Sequence, residues 1–250
     1  MVFLPCSVSL VFKLGVAMST RVIRVALLGA ESTGKTSLSQ HITDALLAQG
    51  QLAAYVPEVL REWCQMNGRT PAFHEQRQIA QQQAERIFSI REGWVIADTT
   101  PLMTAVYSDY VFKDLSLYEE ALGLQAQFDL TLVMGLDVAW MPDGLQRDGE
   151  HVREPVDNLI RQAMSKSQLP FKVIYGQGEA RLSAALLAIS QGVSHLNEPL
   201  DLKFSVPSLQ PTQAQREMSQ YGLNQGKTAW RCDLCSDAEC EHRLFSDLLK

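Results

Sequence analysis

The sequence carries no surplus of positive charge: 22 Lys and Arg stand against 28 Asp and Glu, giving a net charge of -6. Coating nucleic acid by bulk electrostatics needs a basic stripe that displaces counterions from phosphate, so no nucleic-acid partner is expected. Apolar runs of the ~20 residues that a membrane-spanning helix requires are also missing. The opening MVFLPCSVSLVFKLGVA comes nearest, but it lacks a basic leading region and carries Lys13 in its middle. Residues 1–20 read as a leader, either disordered or upstream of a true start at Met18, and the protein is expected in the cytoplasm with no membrane partner. Cysteine is scarce, an odd five, with Cys6 and Cys64 isolated and the others clustered at Cys232, Cys235 and Cys240. That distribution argues against a disulfide framework and for a metal site in a reducing compartment.

What is present is the composition of a globular protein, 46% hydrophobic and 20% charged, long enough for one main domain and an appendage. Val22 to Leu28 is an apolar run that reads as a buried strand. After a glycine-rich turn, Ser37 to Gln49 places Leu38, Ile42, Ala45 and Leu46 on one helical stripe, with Gly50 as its stop. Further strands are expected at Leu52 to Val56, Trp94 to Ala97, Leu130 to Leu136 and Phe171 to Tyr175. Helices are expected at Glu58 to Gln65, Phe73 to Arg91, from Pro101 onward, Glu154 to Ser167 and Glu179 to Ser190. Strands that alternate with helices imply an α/β fold, a five-stranded parallel sheet covered on both faces. The expected domain spans 21–192. Pro199, Pro207 and Pro211 punctuate a linker over 193–228, and a small tail follows over 229–250.

Gly29-Ala30-Glu31-Ser32-Thr33-Gly34-Lys35-Thr36 satisfies GxxxxGK[ST] between a predicted strand and a predicted helix. In that context the backbone N–H groups of Gly29, Glu31, Ser32, Thr33, Gly34, Lys35, Thr36 and Ser37 are the candidates to cradle the phosphates of ATP. Lys35 reaches the β- and γ-phosphates and the Thr36 hydroxyl ligates magnesium. Asp98 ends the third strand at the edge where ligands gather in open α/β sheets, placed to hold Mg2+ or a substrate hydroxyl, or else to cap the next helix. Glu58 ends the second strand on the same edge, placed to deprotonate an attacking hydroxyl, or else to serve as an ordinary first-turn glutamate. Between the fourth strand and the next long helix, Trp140 to Arg153 is a polar loop whose Arg147 and Arg153 are candidates to steady a transferring phosphoryl group. Tyr107, Trp63 and Trp140 are candidates to stack on a ring, or to pack in the core. Gly176-Gln177-Gly178 reads as a turn rather than as an adenine contact.

GAESTGKTSL at Gly29 to Leu38, VPEVLREW at Val56 to Trp63, ADTTPLMT at Ala97 to Thr104 and DLTLVMGLDVAWMPDGLQR at Asp129 to Arg147 together resemble the ribosylnicotinamide kinase domains of bacterial NAD salvage, within the P-loop kinase superfamily. The resemblance covers roughly Arg21 to Gln191, and its WxxDGxR pattern at Trp140 to Arg147 is more telling than the phosphate loop. It implies phosphorylation of the 5′-hydroxyl of nicotinamide riboside, with ATP as donor. No HxGH motif precedes the kinase-like region, so the expectation is the kinase module alone. The helix carrying Glu58 and Arg61 is also similar to that of deoxynucleoside kinases.

The cysteine-bearing tail lies outside this resemblance. Cys232, Cys235, Cys240 and His242 offer four ligands of the kind zinc prefers, which implies a closed structural Zn2+ site and a possible protein-partner contact; the alternative is three reduced cysteines on a surface helix. Two rival functions remain open at this point: a P-loop ATPase that acts on a macromolecule through the tail, and a nucleotide sensor that no longer catalyses. Against the first, Asp98-Thr99-Thr100 lacks the adjacent Asp-Glu pair that hydrolytic motor ATPases use to position water. Lys35→Ala is expected to abolish ATP turnover while the circular dichroism spectrum stays that of folded protein; full activity in that variant contradicts the phosphate-loop assignment.

Overall fold

The computed structural model describes residues 21–141 and 150–193. The expected leader, Arg147, most of the linker and the Cys232, Cys235, Cys240 and His242 cluster lie outside the described residues. Five strands, β1 (Val22–Leu28), β2 (Ala53–Val56), β3 (Gly93–Asp98), β4 (Leu130–Met134) and β5 (Lys172–Ile174), form one sheet in the order β2-β3-β1-β4-β5, with every pairing parallel. Among the described residues, seven α-helices connect and cover them: α1 (Lys35–Ala48), α2 (Val59–Asn67), α3 (Gln76–Ser89), α4 (Pro101–Phe112), α5 (Tyr118–Gln125), α6 (Arg153–Lys166) and α7 (Gly178–Val193). None of the described helices is long and apolar enough to cross a membrane.

The period of two along the strands explains the layers. Ile23, Val25 and Leu27 of β1 join Trp94 and Ile96 of β3 and Leu132 and Met134 of β4 on one face, against Leu38, Ile42 and Leu46 of α1 and Ala185, Ile189 and Val193 of α7. The alternate residues Leu28 and Val133 face Leu102 and Val106 of α4 and Val156 and Ile160 of α6. Val56, Val95 and Ala97 meet Ile87 of α3. Both faces are therefore apolar, as a parallel sheet clad in helices requires.

Most expected elements stand within a few residues of their predicted ends. The segment expected as one helix from Phe73 begins as a 3-10 turn, Phe73–Glu75, before α3. There the Glu75 carboxylate accepts the Ala72 amide at 2.7 Å and pairs with both Nη atoms of Arg69, fixing the entry. α5 was not anticipated. It is short and contains Gly123, and it is fastened by a buried polar residue, Gln125, so no long apolar stripe announces it.

At the opposite edge from the ligand side, Gly93 starts β3 with φ 73°. A Cβ there would lie 2.4 Å from the Leu52 carbonyl oxygen, which accepts the Trp94 amide at 2.8 Å. Gly93→Ala is expected to lower stability by about 1–3 kcal/mol through the positive φ, and further through the backbone clash, as read from urea denaturation midpoints.

Candidate active site

The phosphate loop leaves the carboxyl end of β1, the central strand, and turns into α1. Gly29 is required there by close approach, since a Cβ would stand 2.9 Å from Met134 Cβ on the neighbouring strand. Gly34, with φ 78°, is the N-cap of α1, and no side chain caps that end or places an acid in its first turn. The first amides of α1 are thus left to a ligand, and the helix dipole favours an anion.

The loop's carbonyls are meanwhile taken by the protein. Thr33 Oγ1 donates to Ala30 O at 2.8 Å, and Lys35 Nζ donates to Gly29 O and Ala30 O, each at 2.8 Å. Arg181 of α7 donates through Nη1 to the Thr33 carbonyl. Its Nη2 lies 3.1 Å from Gly135 O, 3.2 Å from Ile174 O and 3.0 Å from Asp137 Oδ1. Only 4% exposed, Arg181 ties the phosphate loop to the ends of β4 and β5. Asp137 completes the link by accepting the Gly176 amide at 2.6 Å, two residues before α7 begins at Gly178. Sequence reasoning passed over Arg181 and Asp137, because an arginine on a surface helix carries no sign of where it is buried.

Beside the loop opens a cavity of about 410 Å³, within the range of small-molecule sites. Glu31, Ser32, Lys35, Glu58, Arg61 and Thr99 supply its polar wall, and Leu60, Cys64, Met103, Tyr107, Val111 and Phe112 its apolar one. Glu58 immediately precedes α2 and makes no capping hydrogen bond, so its carboxylate is free of that alternative role. Its Oε2 lies 3.4 Å from Arg61 Nε. Burial pushes the Glu58 carboxyl above the usual range, with Lys35 pulling it down and Asp98 pushing it further up. Burial likewise lowers the Lys35 ammonium, opposed by Glu58 and then Asp98.

Asp98 is 1% exposed at the end of β3, where Oδ2 accepts the Tyr55 hydroxyl at 3.1 Å. It does not cap α4; Thr100 does, accepting the Leu102 amide at 3.3 Å. Burial and then Asp98 raise the Tyr55 phenol, so it stays a donor. Asp98 Oδ1 has no partner among the described residues. An orphaned carboxylate oxygen on the strand beside β1, with the Thr36 hydroxyl in the first turn of α1, fits magnesium, which takes one or two protein oxygens plus phosphates and water. No group of three or more His, Cys, Asp or Glu that would hold a metal by itself occurs among the described residues.

The other candidates are placed differently. Arg153 opens α6, is 5% exposed and donates to Leu136 O at 3.2 Å and Val138 O at 2.7 Å, holding the chain after β4 rather than lining the cavity. Near the root of the polar loop, the Met141 amide donates to Ser32 Oγ at 2.8 Å, so that loop starts against the phosphate loop. Of the three aromatic candidates Tyr107 alone lines the cavity; Trp63 lies under the Arg69 guanidinium at 4.7 Å, and Trp140 is elsewhere. Arg181→Met is expected to weaken binding of an ATP analogue about tenfold by stranding the carbonyls of Thr33, Gly135 and Ile174; calorimetry on the folded variant measures it, and unchanged affinity would detach Arg181 from the loop's function.

Comparison with known proteins agrees with this geometry at the level of fold. Among solved structures, NadR in complex with NR matches with TM-score 0.56 and 18% identity over 69% of this chain. The match covers 51% of the NadR chain, so this protein spans about half its length. Deoxyadenosine kinase from M. mycoides with bound dCTP aligns with TM-score 0.46 and 15% identity over 68% of this chain and 100% of its own, too distant to carry an argument. No curated protein matches the sequence. A family model described as an AAA domain matches residues 24–181, from the middle of β1 to the buried arginine of α7. Because that match takes in more than half of the chain, with the phosphate loop at its head, the protein belongs to this AAA domain family of P-loop proteins.

Proposed function

We propose that the protein is an ATP-dependent small-molecule kinase that phosphorylates the 5′-hydroxyl of nicotinamide riboside or a related nucleoside. The observation that carries this proposal is that Lys35 of the phosphate loop and the carboxylate of Glu58 line one cavity of nucleoside size. A hydrolytic ATPase needs to place only water there. A cavity with a polar end at the phosphates and an apolar, aromatic remainder suits an acceptor with a sugar hydroxyl at one end and a ring at the other. The NR bound to NadR is such a molecule, and the quoted sequence motifs support the same choice.

In this mechanism the amides of the loop and of the first turn of α1 bind the phosphates of ATP. Lys35 exchanges the carbonyl oxygens of Gly29 and Ala30 for the charged oxygens of the β- and γ-phosphates. Thr36 and Asp98 are the residues that would hold magnesium, which would supply positive charge to the phosphate oxygens. Glu58 takes the proton of the acceptor hydroxyl as its oxygen bonds to the γ-phosphorus and the bond to the β-γ bridging oxygen breaks, releasing ADP. Arg61, beside Glu58, keeps that carboxylate oriented. Arg147 and Arg153 remain proposals for charge stabilisation at the loop; Arg153 would act by holding the chain after β4.

Incubation with ATP, magnesium and a panel of nucleosides including nicotinamide riboside, followed by detection of new monophosphates, tests this function; turnover of ATP with no nucleoside product would overturn it. Glu58→Gln is expected to reduce kcat by about 10²- to 10⁴-fold with little change in KM for ATP. The acidic limb of the wild-type pH profile is expected above the ordinary glutamate value of 4.5, because burial favours the protonated form and the base must first lose that proton. A limb that persists unshifted in Glu58→Gln would assign it to another group.

A further inference from the structure

Between Gly68, which ends α2 with φ 65°, and the 3-10 turn at Phe73–Glu75 the chain has no regular structure, yet Thr70, Pro71 and Ala72 all line the cavity. A wall made of connecting chain keeps its shape only where side chains hold its backbone groups. Arg69 and Glu75, one at each end of the segment, do this. Arg69 Nη1 donates to Glu75 Oε2 at 2.7 Å and to the Thr70 carbonyl at 3.1 Å, and Nη2 donates to Glu75 Oε1 at 2.8 Å. Glu75 Oε2 also accepts the Ala72 amide at 2.7 Å. The fork therefore grips the backbone on either side of Pro71. Gln76 Nε2 reaches the Pro71 carbonyl itself only at 3.4 Å, near the limit of hydrogen bonding, which leaves the fork as the main hold.

Both ends of this clamp rest on the helices that frame the cavity. The Arg69 guanidinium lies over the Trp63 ring of α2, 4.7 Å from its centroid. Phe73, directly after Ala72, meets Phe112 at the end of α4 edge-on, with ring centroids 5.9 Å apart, and Phe112 lines the cavity. The Arg69 side chain is 52% exposed and that of Glu75 20%. An ion pair so placed adds little to folding stability, but a planar guanidinium that meets both oxygens of a carboxylate fixes direction. Arg69 and then the Ala72 amide hold the Glu75 carboxyl down at about 2, so the fork stays charged throughout the range in which Glu58 titrates.

We propose that Arg69 and Glu75 are positioning residues for the acceptor, their fork holding the Thr70, Pro71 and Ala72 wall in the shape that binds it. The proposal rests on the kinase function above, which supplies the acceptor. Neither residue takes part in phosphoryl transfer; their effect falls on the affinity for the acceptor, because a wall already ordered spares the ligand the cost of ordering it.

Arg69→Lys keeps the charge and loses the fork, and Glu75→Gln keeps the shape and loses the charge. For both, calorimetry on the full chain with nicotinamide riboside and with adenosine is expected to show the nucleoside that the wild type binds held about fivefold or more weakly. ATP-analogue affinity, kcat at saturating nucleoside and the melting temperature are expected to hold, because the fork bonds within its own segment at the surface. The double variant is expected to lose no more than either single, since each substitution opens the same fork. Unchanged nucleoside affinity in either variant, a loss shared by the ATP analogue, a loss confined to kcat, or no binding of either nucleoside by the wild type overturns the proposal. Nucleoside binding that weakens as expected in a protein that forms no monophosphate would instead sink the kinase function and leave the clamp; monophosphates formed with KM unmoved in both variants would do the reverse.

Discussion

A backbone that offers its amide hydrogens to a ligand must settle its carbonyl oxygens elsewhere, and the site depends on that constraint. Between Gly29 and Gly34 the carbonyl of Ala30 is shared by Thr33 Oγ1 and Lys35 Nζ, that of Gly29 goes to Lys35, and that of Thr33 goes to Arg181. With these oxygens paired inside the protein, the N–H groups at the start of α1 face outward without competition. Lys35 thereby has a resting position that a nucleotide can replace at modest cost, because one set of oxygen acceptors is exchanged for another.

The same constraint organises the surroundings. Arg181 reaches across from α7 because β5, β4 and β1 lie side by side, so the phosphate loop is braced from the β4–β5 flank. On the cavity side the charged groups stand close enough to shift one another. Lys35, Glu58 and Asp98 influence one another there in a space where burial raises the carboxyl of Glu58 and lowers the ammonium of Lys35. Both shifts move toward neutrality, as burial of a charged group requires. Asp98, steadied by Tyr55 through one oxygen, keeps the other available.

Local chemistry made a good deal of this legible in advance. The run Val22 to Leu28 could be read as a buried strand because continuous apolar residues before a glycine-rich turn have few other fates, and the GxxxxGK[ST] spacing carries its own geometry. Strand ends alone put Glu58 and Asp98 on the ligand edge of the sheet, and Glu58 lines the cavity there. What the sequence did not announce rests on polar contacts: α5, anchored by Gln125, and Arg181, held against the ends of β4 and β5.

The sequence by itself determined the alternation of strand and helix, the phosphate loop and the two carboxylates at strand ends, because hydrophobic period and glycine geometry act over a few residues. Tertiary structure alone decided which buried polar groups are satisfied and which are left without a partner among the described residues. Thr33 and Arg181 are 148 positions apart, and only the packing of α7 beside α1 brings them within hydrogen-bonding range. Polar partners at such separation leave no periodic trace in the chain, so their pairing becomes visible only when the sheet has set the helices in place.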